Sequence, residues 1–336
     1  MEPRWDALLI VAFGGPEGPD DVLPFLENVT RGRRIPRERL LQVADHYQLF
    51  GGVSPLNRQV RALAEAVRQD LTANGPAIPV YWGNRNWHPY LAETLRQMAD
   101  DGVRRALALF TSPFGSYSSC RQYLENIEQA RAEVGERAPR IEKLRAYFNH
   151  PGYIEPMTAR LRTALEEVPA DQRLAVPVLF TAHSIPVAMA RSGPYEGQLR
   201  EACRLVGEGA GVANWRLVYQ SRSGSPRQPW LEPDVCDAIR EIAEAGSAAE
   251  VVVAPIGFIS DHVEVLYDLD VEAKQVCDAA GLRLIRAATV GTHPRFVTMV
   301  RELIQERVSG SGERQTLGSL GPAPDECPAD CCRFRQ

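Results

Sequence analysis

The chain has 336 residues, 44% of them hydrophobic, and a formal net charge of −5. That length suffices for two packed domains, and the acidic balance argues against a nucleic-acid binder, which would usually be basic. The longest apolar runs are strand-sized, too short to span a membrane as helices. The first residues, MEPRWDALLIVAFGGP, carry no basic segment followed by a long apolar core, so no secretion signal is read and a cytoplasmic location is expected. The seven cysteines then count as metal ligands or buried thiols before disulfides.

Residues 7–13 (ALLIVAF) form an apolar run ending in Gly14-Gly15-Pro16, the pattern of a strand buried on both faces of a parallel sheet. Helical spacing follows over 56–71, then a strand at 80–82, a helix at 89–98 and a strand at 106–110. This alternation is that of βαβ units. After a helix at 123–134 and a strand-like 143–147, a second set begins with a helix at 153–167. It continues with strand 174–180, helix 199–206, strand 216–220, helix 234–245 and strand 250–255. A last helix is expected over 294–308, and beyond it the chain turns rich in Gly, Ser and Pro. Such a tail builds no core and is mobile unless tethered. The expected division is two α/β lobes, 1–165 and 166–293, with helix 294–308 returning to the first lobe and a cysteine-bearing tail, 309–336.

In open α/β sheets, ligands collect beyond the carboxyl ends of the strands. Three polar loops fall there: Gly14-Gly15-Pro16, Thr181-Ala182-His183-Ser184 and Ser260-Asp261-His262. After the third, Glu264, Asp268 and Glu272 recur every four residues and line one face of a helix over 263–274. Like charges in a row repel, and a cation, or a path for cations, gives the row a reason. The same spacing also suits a capping box from Asp261 to Glu264 beside a solvated face. An imidazole from one lobe facing a carboxylate from the other is the expectation that His183 and Glu264 raise. Such a pair takes protons from a weak acid and also ligates Fe²⁺. HExxH, CxxC, GxGxxG and GxSxG are all missing from the sequence, which speaks against a catalytic zinc, a dinucleotide and an esterase. Arg31-Gly32-Arg33-Arg34 suits either a solvated face or ligand carboxylates. Tyr117, Tyr123, Trp82, Trp87 and Trp230 suit either core or the walls of a large planar ligand.

Five segments then stand together. FGGP at 13–16, GGVSPLN at 51–57, TAHSIP at 181–186, QPWLEPDV at 228–235 and PIGFISDHVEVLYDLD at 255–270 resemble, in order and spacing, a ferrochelatase. The likeness runs from about residue 7 to 308 and is strongest to the bacterial form that metallates coproporphyrin III. It implies a pair of Rossmann-like lobes with a porphyrin cleft between them, and Fe²⁺ as substrate. His183 and Glu264 fall on the family's metal-site histidine and glutamate, Asp268 and Glu272 on its outer acidic row. Ser54 and Tyr123 fall on positions that contact the macrocycle's carboxylates, with Arg31 in a loop that does likewise; Arg85 matches a cleft arginine. Phe13 and Trp230 are expected beside the ring, and some relatives carry a metal-ligating tyrosine where Phe13 stands. The implied partners are the porphyrin and, transiently, the next enzyme of haem biosynthesis.

Some ferrochelatases hold a [2Fe–2S] cluster on one internal and three C-terminal cysteines. The resemblance places Cys120, Cys327, Cys331 and Cys332 in those roles, four thiolates being the number such a cluster takes. Cys203, Cys236 and Cys277, on helices, read as buried thiols. Two competing readings stay open: a chelatase of another tetrapyrrole and metal, such as sirohydrochlorin with cobalt, and a carrier that binds finished haem through His183 without inserting metal.

Overall fold

Ala7–Ala12 (β1) is buried along its whole length, as its unbroken apolar sequence demands of a strand covered on both faces. The structure, a computed structural model, describes residues 5–33, 35–224, 228–246, 248–309, 314–328 and 330–334. Arg34 of the basic cluster and residues 310–313, 329 and 335–336 of the tail lie outside them. β1 pairs on one side with Val80–Asn84 (β2) and on the other with Arg105–Phe110 (β3), beyond which lies Arg140–Lys143 (β4). The second sheet has Val178–His183 (β5) between Trp215–Gln220 (β6) and Glu250–Ala254 (β7), with Arg283–Arg286 (β8) outermost. Every pairing is parallel, and the two orders, β2-β1-β3-β4 and β6-β5-β7-β8, are one plan used twice.

Alternation along the strands sets the layers. Leu8, Ile10 and Ala12 of β1 share one apolar cluster with Val178, Phe180 and Ala182 of β5, so a single core runs from sheet to sheet. Ala7, Leu9 and Val11 face a second cluster, and Leu179, Val251 and Val253 a third. Helix Leu56–Asn74 buries Leu56, Val60, Leu63, Val67 and Leu71, the i, i+3, i+4 stripe of its sequence. Each such side chain contributes about 1.5–3 kcal/mol by leaving water. Helix Pro294–Ser309 packs on Leu56–Asn74 and on Pro151–Glu166, and Arg301 donates to Asp70 at 2.7 Å.

Three segments differ from the sequence expectation. The strand expected at 143–147 lies at Arg140–Lys143, in register with β3. Arg145 instead turns inward to Glu306, at 2.7 and 2.9 Å, and to the Gln315 carbonyl. The strand expected at 174–180 runs from Val178 to His183, because Leu174 is exposed and the ladder to β6 continues through His183 opposite Gln220. The tail is tied down. Leu317 donates to the Asn149 carbonyl and Asn149 to that of Gly321, both at 2.8 Å, and Ser319 donates to Glu201 at 3.0 Å.

Candidate active site

His183 closes β5 and is clamped from three directions. Its Nδ1 donates to the Ser184 carbonyl at 2.5 Å, Tyr195 donates to its own carbonyl at 3.0 Å, and Ser184 N–H continues the ladder to Gln220 at 2.8 Å. A carbonyl can only accept, so the neutral ring keeps its proton on Nδ1 and presents a lone pair at Nε2. Nε2 lies 3.6 Å from Glu264 Oε2. The loop after β7 brings Glu264 there by lying against β5. Gly257 N–H donates to the Thr181 carbonyl at 2.9 Å, and a Cβ on Gly257 would sit 2.7 Å from Ala182 Cα, so only glycine permits the approach.

This corrects the expectation that imidazole and acid come from opposite lobes. Both lie in the second: β5 and β7 are neighbours in one sheet, and their carboxyl ends deliver His183 and Glu264 side by side. The capping-box reading also fails. The helix opens at Val263 with His262 as N-cap and no side-chain cap. Asp261 accepts instead from Arg286 at 3.1 Å, leaving Glu264 free to face His183.

From Leu266 to Ala273 the helix winds as a π-helix, with roughly four to five residues per turn against 3.6 in an α-helix. A four-residue repeat stays on one side in either winding, so Asp268 and Glu272 follow Glu264. Asp268 accepts from Gln220 Nε2 at 3.1 Å and from the Ser221 hydroxyl. Ser221 has φ of 61°, a left-handed conformation that costs a non-glycine residue about 1 kcal/mol or more. Gln220 and Ser221 were missed from sequence, although the carboxyl end of β6 is where the strand-end rule points. Also unforeseen is the His46 ring, stacked on Tyr267 at 3.5 Å, which lays helix Arg37–Gln48 against the π-helix.

The electrostatics follow from this crowding. Burial pushes His183 down, but the nearby carboxylate of Glu264, the Ser184 carbonyl and the charge of Asp268 outweigh it, and its pKa is raised. Burial pushes Glu264 up, yet the imidazoles of His183 and His262 hold it below the usual carboxylate range. Asp268 is raised to about 7, chiefly by burial, with the charges of Glu264 and Glu272 adding and the Ser221 and Gln220 hydrogen bonds opposing. Glu272 is raised by burial and by Asp234.

The first lobe offers a different surface. Phe13, just past β1, packs edge-on against Phe25 at 6.3 Å. The Arg85 guanidinium lies over the Phe13 ring at 5.7 Å and over the Tyr123 ring at 4.6 Å, and donates to Asn126 at 2.7 Å. Tyr123 is buried and stacks on Phe110. Ser54 is buried too, its hydroxyl accepting Leu56 N–H at 3.4 Å, whereas Arg31 is exposed. Trp230, half-buried, bridges Pro186 in the loop that follows His183.

Away from this site, Cys120, Cys327, Cys331 and Cys332 line one cavity of about 320 Å³. All four are free thiols. Cys331 and Cys332 Sγ are 3.5 Å apart, and the electrostatics of Cys327 are tied to those of Cys120 and Cys331. Cys203 and Cys277 are buried as expected, while Cys236 is only half-buried. Among the described residues, no three His, Cys, Asp or Glu side chains gather as the ligand set of a single metal ion.

A two-lobed parallel α/β frame with a histidine and acids at its strand ends is a chelatase-like architecture. The solved structure of SirB from Bacillus subtilis with Fe³⁺ is similar, with a TM-score of 0.54 over 90% of this chain and 96% of that one; at 12% identity the likeness is one of fold. The chain belongs to the ferrochelatase family, whose model matches residues 5–308. The ferrochelatase of Rhodopirellula baltica is 57% identical over 332 residues, covering 99% of this chain and 94% of that one. The coproporphyrin III ferrochelatase of Streptomyces coelicolor is 53% identical over 353 residues, covering 98% and 94%.

Proposed function

We propose that this protein inserts Fe²⁺ into coproporphyrin III to give Fe-coproporphyrin III, a step of haem biosynthesis. The reading is carried by the His183–Glu264 pair, 3.6 Å apart at adjoining strand ends, with an acidic row leading to it. In the reaction two pyrrole N–H bonds break, four iron–nitrogen bonds form and two protons leave. The Nε2 lone pair of His183 accepts a pyrrole proton, and the neighbouring carboxylate of Glu264 stabilises the imidazolium that results. Asp268, titrating near 7, exists in both forms at neutral pH and so passes protons outward or meets incoming Fe²⁺. One histidine and one carboxylate hold Fe²⁺ through both ligand types it accepts, yet loosely enough to surrender it to four ring nitrogens. Phe13 and Trp230 provide flat apolar surface for the macrocycle, and exposed Arg31 is the cation offered to its carboxylates; Tyr123 and Ser54, which the resemblance assigns to those carboxylates, are buried here. Holding the ring bent, with nitrogen lone pairs exposed, is differential binding of a distorted state.

The choice of coproporphyrin follows the Streptomyces coelicolor relative. Initial rates of Fe²⁺ insertion into coproporphyrin III and protoporphyrin IX test it: coproporphyrin should be favoured by at least about ten-fold. Equal rates would leave only the broader ferrochelatase activity. The described helices include none long and apolar enough to cross a membrane, and we place the reaction in the cytoplasm, with the product passing to the next enzyme of the pathway by transient contact.

Cys120, Cys327, Cys331 and Cys332 would hold a [2Fe–2S] cluster. The donor set fits: four thiols line one cavity of about 320 Å³ without gathering on one point, which suits two irons with two thiolates each. When bound, such a cluster supplies one-electron redox capacity and cross-links tail to lobe. Anaerobically prepared Cys120→Ser protein should lack the cluster's absorption above roughly 400 nm; persistence of that colour would exclude this ligand set.

A further inference from the structure

Lys143 ends β4 with its side chain buried. It lines the cavity of the four cysteines. Its Nζ donates to the Pro324 carbonyl at 2.8 Å, tying the tail three residues before Cys327, and its charge acts on the Cys327 thiol. Cys120 and Cys332 also feel its charge. The other cations of the cavity are occupied: Arg121 pairs with Glu125, and Arg307 with Glu142 and Asp325. Among the described residues Lys143 makes no such ion pair. Its residue type is notable as well. The chain holds 38 Lys and Arg, yet Lys143 and Lys274 are its only lysines, and Lys274 is an exposed residue paired with Asp278.

We infer that the Lys143 ammonium is the fixed counter-charge of the cluster and the tie that holds the tail cysteines within reach of Cys120. The inference rests on the cluster reading above. A [2Fe–2S] centre on four thiolates is anionic and gains a further negative charge on reduction, so a buried cation beside it favours the reduced form and the bound metal. Lys143 touches no substrate; it is a positioning residue for the tail and an electrostatic one for the cluster.

The test uses full-length, anaerobically purified protein. Lys143→Gln removes the charge but keeps an N–H donor for Pro324, and Lys143→Arg keeps the charge. The glutamine variant should release iron to a chelator about 10–100-fold faster and be reduced at a lower potential, with the arginine variant close to wild type in potential. Iron release and potential both unchanged in Lys143→Gln would overturn the inference while leaving the cluster in place. A wild-type protein without iron and sulfide would overturn the cluster reading itself, and the inference with it. Amine labelling of wild type needs no variant: Lys143 should be protected when the cluster is loaded and exposed after chelation, with Lys274 labelled equally in both. Equal labelling of Lys143 in the two states would contradict its contact with the cluster.

Discussion

The two lobes repeat one sheet order, yet their central strands end in different chemistry. β1 runs out through Ala12-Phe13-Gly14-Gly15 and β5 through Ala182-His183-Ser184. At matching places in the plan, one lobe presents a phenyl ring under a guanidinium and the other an imidazole against a carboxylate. The frame supplies two equivalent strand-end sites, and side-chain choice makes one a wall and the other a proton acceptor. The second lobe also carries the acidic row, because the segment after β7 continues into the π-helix. At the equivalent place in the first lobe, after β3, the chain also winds as a π-helix, Tyr117–Arg121, but bears no carboxylate; the roof where Phe25 and Tyr47 pack with Val263 of the second lobe follows β1 instead.

This contrast can be broken by substitution. His183→Phe makes the second strand end a copy of the first and should lower kcat by about 10²–10⁴-fold, the usual contribution of a positioned acid or base, with porphyrin binding retained by fluorescence quenching. Phe13→Leu trims only the wall: a loss of about 1 kcal/mol of apolar contact raises the porphyrin KM roughly five-fold and leaves kcat alone. A kcat loss as large as that of His183→Phe would make Phe13 part of the chemistry. Asp268→Asn should act on iron. Because its carboxyl titrates near 7, wild type carries the charge above that pH and loses it below, so the Fe²⁺ KM should rise as pH falls through 7. The asparagine variant should show a KM a few-fold higher above pH 7 and flat across that range. A wild-type KM that does not respond to pH would remove Asp268 from the iron route.

Much of this was legible in the chain. Strand-end loops and the four-residue acid spacing singled out His183, Glu264, Asp268 and Glu272 without coordinates. What the linear pattern could not carry was adjacency between strands: that β5 lies beside β7, and so that His183 and Glu264 share a lobe, is a property of sheet order. The π winding was hidden because a four-residue repeat keeps one face in both helix types. Gln220 and Ser221 stayed hidden because their value lies in meeting Asp268, 48 and 47 positions away. β8, a short edge strand with Leu284 and Ile285 between two arginines, has too little apolar sequence to stand out. The tail's order depends on Lys143, Asn149 and Glu201, all remote in sequence.

The proton coupling between His183 and Glu264 is tested most directly by the pH profile of kcat for iron insertion into coproporphyrin III, wild type against Glu264→Gln. Glu264 raises the pKa of His183, and a protonated imidazole cannot accept a pyrrole proton. In wild type the acid limb should therefore fall above the ordinary histidine value of 6.5. In Glu264→Gln it should move to lower pH while the plateau drops. An acid limb and plateau that both stay where they are in wild type would contradict the account.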